Sequence, residues 1–148
     1  MDAAAHLRVG SLEILGALAV FGVLTARFWP DAPAEVVPAV TVVLDVRDAV
    51  AGPPRELSLQ LAAGGEPRIL GRSSQAHIGL LDPEVSRRHA QIELFKGVVY
   101  LEDLDSSNGT FLNGKPVADE GIEVRPGDQI DVGNTRITVM GITPASWT

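Results

Sequence analysis

Hydrophobic positions divide the chain into two regimes. Between Arg8 and Arg27 the segment SLEILGALAVFGVLTA carries one charge, Glu13, and from Ile14 to Ala26 every residue except Thr25 is apolar or small. A bilayer-spanning helix needs about 20 mostly apolar residues. The window from Val9 to Ala26, followed by Phe28 and Trp29 where an aromatic interface belt sits, predicts one transmembrane helix within residues 1–29. A cleaved signal peptide asks for a clearly positive leading region, which Asp2, Arg8 and Glu13 do not make. A buried soluble helix is also apolar all round and stands as the other alternative. Only Arg8 precedes the segment, whereas Arg27, Arg47 and Arg55 follow it. The positive-inside bias therefore predicts a single-pass protein of the cell membrane with its C-terminal domain on the cytoplasmic side.

The second regime begins near Thr41, where the apolar period becomes two. Val42, Leu44 and Val46 alternate with polar or outward positions, as do Leu57, Leu59 and Leu61. The same pattern recurs in Ile92 and Leu94, Val99 and Leu101, Ile130 and Val132, and Ile137 and Val139. Such alternation predicts antiparallel strands with one wet face. Turn signals separate them: Ala63-Gly64-Gly65, Lys96-Gly97, Asn113-Gly114, Pro126-Gly127 and Gly133-Asn134. Many short strands with frequent turns predict an all-β antiparallel sandwich over residues 41–142, preceded by the one apolar helix. A Pro/Ala-rich stretch at 30–40, with three prolines, reads as a semi-rigid linker, and 143–148 as a tail.

Charge narrows what this domain can bind. Of 148 residues, 19 are Asp or Glu and 12 are Lys or Arg, giving a formal charge of −7. An acidic chain exerts no long-range pull on nucleic acid, so any anion it holds must meet a local cluster. There is no cysteine, which excludes disulfides and thiolate metal sites; His6, His77 and His89 are scattered without metal-ligand spacing. Neither a metal nor a cofactor is expected.

Three short segments carry the candidate chemistry. LGRSS (70–74) ends a strand with a glycine and an arginine; SRRH (86–89) supplies a hydroxyl and two guanidinium groups; SSNGTFLNG (106–114) adds hydroxyls, an amide and tight turns. Ser86 and His89, at i and i+3, invite a nucleophile–base reading. No Gly-x-Ser-x-Gly elbow surrounds them, and the nearby acids Asp82 and Glu84 are expected to be solvated on a proline-containing loop. A phosphate dianion asks instead for a guanidinium fork, hydroxyls and free backbone amides, and these segments hold that inventory at strand ends.

Taken together and in this order, Gly71-Arg72, Ser86-Arg87-Arg88-His89 and Asn108-Gly109, with the extended run at 106–114, resemble the forkhead-associated (FHA) domain, a phosphothreonine-peptide reader with an FHA/SMAD-like sandwich. The resemblance implies that Arg72 and the Ser86 hydroxyl contact the phosphate, that Ser107 adds a hydroxyl, and that Asn108 bonds the peptide backbone. It implies that the Arg87 amide reaches the phosphate while its side chain engages the peptide; arginine here is common among bacterial members. Gly71, His89 and Gly109 support the site, and Arg88 and Ser106 are accessory candidates. The implied function is a non-catalytic, membrane-tethered adaptor for threonine-phosphorylated proteins, downstream of a Ser/Thr protein kinase. The alternative is a phosphate-independent scaffold of a membrane complex, in which Gly16, Ala19, Gly22 and Ala26 permit close helix approach.

Overall fold

A computed structural model describes residues 39–50 and 52–145, which fall in one compact unit within Val37–Thr148. The expected helix within 1–29, nearly all of the linker and residues 146–148 lie outside the described residues. Among the described residues no helix is long and apolar enough to cross a membrane.

Two sheets face each other. The first holds β1 (Ala39–Arg47), β2 (Arg55–Ala62), β7 (Thr110–Leu112), β8 (Lys115–Pro116), β10 (Gln129–Val132) and β11 (Thr135–Pro144), in the order β2-β1-β11-β10-β7-β8. The second holds β3 (Arg68–Gly71), β4 (Ile78–Gly79), β5 (Ala90–Phe95), β6 (Val98–Asp103) and β9 (Ile122–Glu123), in the order β4-β3-β5-β6-β9. The domain is wider than 41–142 at both ends, because Val40 pairs with Pro144 and the Ala145 amide donates to the Ala39 carbonyl at 2.9 Å. The antiparallel expectation also needs one correction: β3 and β4 run parallel, Leu70 opposite Ile78 and Gly71 opposite Gly79. A six-residue loop suffices because β4 is only two residues long and docks as a short edge.

The inward alternation is what closes the sandwich. Val42, Leu44 and Val46 of β1 meet Ile92, Leu94, Val99 and Leu101 of the opposing sheet in one buried cluster, completed by Ile130, Val132, Ile137 and Val139. Each such side chain contributes about 1.5–3 kcal/mol on removal from water. A bulge opposite Val43 and Leu44 leaves Met140 unopposed and turns it outward. Lys96-Gly97 and Asn113-Gly114 both take positive φ at the two central positions (49° and 80°, 50° and 79°), the geometry that reverses adjacent strands most tightly.

Candidate functional site

The loops that follow β3, β4 and β6 converge at one end of the sandwich, and Gly71 decides how closely. A Cβ on Gly71 would stand 2.2 Å from the Arg87 carbonyl oxygen, so this crossing admits only glycine. Across it, the Arg72 amide donates to the Ser86 carbonyl (3.0 Å), the Ser73 amide to the Arg87 carbonyl (3.1 Å) and the His89 amide to the Leu70 carbonyl (2.9 Å). The loops after β3 and β4 are thereby bonded like strands without being strands.

His89 ties in the third loop. Its ring is fully buried; Nδ1 accepts the Ser86 amide at 3.1 Å and Nε2 stands 3.0 Å from the Gly109 carbonyl. An amide donor at Nδ1 places the ring hydrogen on Nε2, which donates to Gly109. The Nδ1 lone pair is therefore spent on a backbone amide and is not directed at the Ser86 hydroxyl. Ser86 Oγ instead accepts the Ser107 amide at 3.1 Å, with the two serine Oγ atoms 3.5 Å apart.

These contacts build an open groove. Arg72 donates from Nε to the Val85 carbonyl at 3.3 Å, a tether that leaves its terminal nitrogens to the groove. Arg87, Arg88, Ser86 and Ser107 line it as well, and Ile69 and Ala76 supply apolar wall. Arg72, Arg87 and Arg88 are all exposed. Asn108 and Ser106 stand apart from this lining. Asn108 donates from Nδ2 to the carbonyl (2.8 Å) and carboxylate (3.0 Å) of Glu84. Ser106 turns inward: its hydroxyl donates to Asp103 at 2.6 Å and accepts the Gly109 amide at 3.0 Å, while Gly109 takes a φ of 81°.

Two aspartates hold the loop end together. Asp82, expected on the surface, is fully buried. Its carboxylate accepts the amides of Glu84 (3.0 Å) and Asn134 (2.6 Å) and the Thr135 hydroxyl (3.2 Å), so the proline-containing loop is drawn against the turn before β11. Burial alone would push this carboxyl up; the backbone and hydroxyl donors outweigh that and hold it below the usual carboxylate value. Asp103 is governed alike: burial pushes it up, and the Ser106 hydroxyl, the Thr110 hydroxyl at 2.5 Å and the Ser106 amide bring it lower than usual. Asp103 lies three residues before Ser106, a spacing typical of side-chain-to-backbone turns. Nothing in the sequence signals the burial of Asp82, because two of its three partners, Asn134 and Thr135, lie more than fifty residues on. Among the described residues no group of three or more potential metal ligands gathers.

Comparison with known proteins agrees with this geometry. A family profile described as "FHA domain" matches residues 68–133. The FHA domain-containing protein FhaA of Mycobacterium tuberculosis is 41% identical over 71 residues, 48% of this chain and 13% of that protein. The glycogen accumulation regulator GarA of Mycolicibacterium smegmatis is 36% identical over 70 residues, 47% of this chain and 43% of that protein. The chain thus spans less than half the length of these curated relatives. A solved domain studied for phosphothreonine-dependent FHA domain interactions is 31% identical at a TM-score of 0.55, covering 74% of this chain and 99% of that one. The FhaA FHA domain complexed with the intracellular domain of Rv3910 is 35% identical, also at a TM-score of 0.55, covering 68% and 98%.

Proposed function

The chain belongs to the forkhead-associated domain family, and on that premise we propose that its loop-end groove binds threonine-phosphorylated peptides as a non-catalytic adaptor in Ser/Thr-kinase signalling. The observation that carries this reading is the convergence of three exposed arginines with Ser73, Ser86 and Ser107 in one groove of a net-acidic chain. Arg72 and Ser86 hold the phosphate: Ser86 Oγ accepts the Ser107 amide, and its own proton, which makes only a long 3.5 Å contact to Ser107 Oγ, can turn to a phosphate oxygen. Ser107 adds a hydroxyl, the Arg87 amide a further donor, and Asn108 meets the peptide backbone beside the phosphothreonine. Because Asn108 Nδ2 is engaged by Glu84, its carbonyl oxygen is the atom offered to a peptide amide. Gly71, His89 and Gly109 maintain the loops, and Ser106 acts inside that framework rather than on the ligand.

The absence of a base at Ser86 favours binding over catalysis, since the nearest imidazole nitrogen is occupied by an amide. Residues 1–29 are proposed to tether the domain to the cytoplasmic face of the cell membrane, a reading that rests on the apolar run alone.

Hydrogen bonds to a charged group are worth about 1.5–3 kcal/mol each, so a few around one phosphate account for micromolar affinity after association costs. Calorimetric titration of a phosphothreonine peptide should give saturable binding that Arg72→Ala abolishes and dephosphorylation of the peptide removes. Equal binding of the dephosphorylated peptide would favour the scaffold reading and sink this one.

A further inference from the structure

The groove holds more positive charge than one phosphate needs. A phosphothreonine carries about −1.5 to −2, whereas the lining contains three guanidinium groups and no carboxylate. This surplus is not an accident of composition, because acids outnumber bases in the chain by 19 to 12. Three carboxylates close in sequence to the groove are engaged elsewhere, Asp82 on Glu84, Asn134 and Thr135, Asp103 on Ser106 and Thr110, and Glu84 on Asn108, while Asp105 is exposed but lies outside the lining. Arg72 is tethered by its bond to the Val85 carbonyl and lines the same groove as Ser86. Arg87 and Arg88 are exposed, and no carboxylate lies within 4.0 Å of either among the described residues.

Resting on the phosphothreonine reading, we propose that Arg87 and Arg88 form a second anion subsite, so that the preferred ligand carries another anionic side chain close to its phosphothreonine. A carboxylate and a second phosphate share the chemistry that a guanidinium fork recognises. Both would sit in a partly exposed groove, where a charge-assisted contact strengthens binding by a modest factor that falls with salt. Arg88 thereby gains a function: it is a specificity-determining side chain, one position beyond the residue whose amide meets the phosphate.

The test uses the full chain, purified in a non-ionic detergent, and three peptides of equal length read by fluorescence anisotropy. One has phosphothreonine among neutral residues, one adds glutamates on both sides, and one adds a second phosphothreonine. At least one anionic peptide should bind roughly fivefold to tenfold tighter than the neutral one. Arg88→Gln and Arg87→Gln should each drive that ratio toward one, while Lys115→Gln, an equal charge loss on exposed β8, leaves it unchanged. A gain from glutamate marks a general anion subsite, and a gain from the second phosphate alone marks a dianion subsite. A ratio of one in the unaltered protein, or a ratio that survives both arginine substitutions, overturns the proposal while leaving phosphothreonine binding intact. Failure of all three peptides to bind overturns the underlying reading itself.

Discussion

Arg47, Arg125 and Arg136 lie at or beside strands, each within 3.0 Å of a carboxylate: Asp45, Glu123 and Asp131. Arg72, Arg87 and Arg88 lie at the loop end and line a groove without one. The residue type is the same; the difference is what surrounds it. Along the strands an acid stands two residues away or across the ladder, and the charges cancel locally. At the loop end Asp82 and Asp103 are drawn into buried or half-buried roles as acceptors for amides and hydroxyls, and the exposed Glu84 is held by Asn108. The same aspartates that shape the loops are thereby kept from neutralising the arginines. Shape and charge at this end are one design, and disturbing either should disturb both.

The largest break comes from Gly71→Ala. Its methyl group would meet the Arg87 carbonyl, and overpacking of this kind typically costs about 1–3 kcal/mol or more. Thermal denaturation should show a lowered midpoint, and phosphopeptide affinity should fall with it, because the same crossing places Arg72 and Ser86. Asp82→Ala comes next. It strands two amides and a hydroxyl, for a loss of about 2–3 kcal/mol.

Acid titration sharpens the same point without a mutation. Asp82 and Asp103 have lowered values in the folded protein, so their stabilisation is complete at neutral pH and above the ordinary carboxylate range. It is lost as pH falls through their lowered folded values. Denaturant melts recorded stepwise into the acid range should lose stability there, and Asp82→Asn should flatten that decline. An unchanged acid limb in the variant would remove Asp82 from this role.

Smaller effects separate charge from shape. Gln75 lines the groove and is exposed, so Gln75→Glu introduces the carboxylate that the site lacks. Phosphopeptide affinity should drop by about tenfold at low salt, recovering partly as salt is raised, with the melting midpoint unchanged. Arg136→Gln removes one of the paired, exposed arginines and should alter neither the melt nor peptide binding. If Arg136→Gln weakened binding as much as Gln75→Glu, the effect would be overall charge rather than the groove.

Legibility from the sequence followed the range of the interaction. Strand faces were plain because alternation is local: Val42, Leu44, Val46, Ile92, Leu94, Ile130 and Val139 all point inward. The parallel β3–β4 contact was not, since two residues carry no periodicity. The arginines of the groove are visible as a cluster, and the family resemblance separates Ser107 from the accessory candidate Ser106, but the physical reason, Asp103 drawing Ser106 inward and leaving Ser107 beside Ser86, is not legible in the sequence. Asp82 departs from expectation because a proline loop usually faces water, and only the distant Asn134 and Thr135 turn it in.

The paired loops bridged at Gly71 also bear on time. A surface whose amides, ring nitrogens and hydroxyl acceptors are already matched has little ordering left to do when a ligand arrives. Encounter should then be fast and much the same for every phosphorylated segment that reaches the groove. Ligands of the groove should then differ chiefly in how long they stay, so that measured dissociation rates carry the differences in affinity.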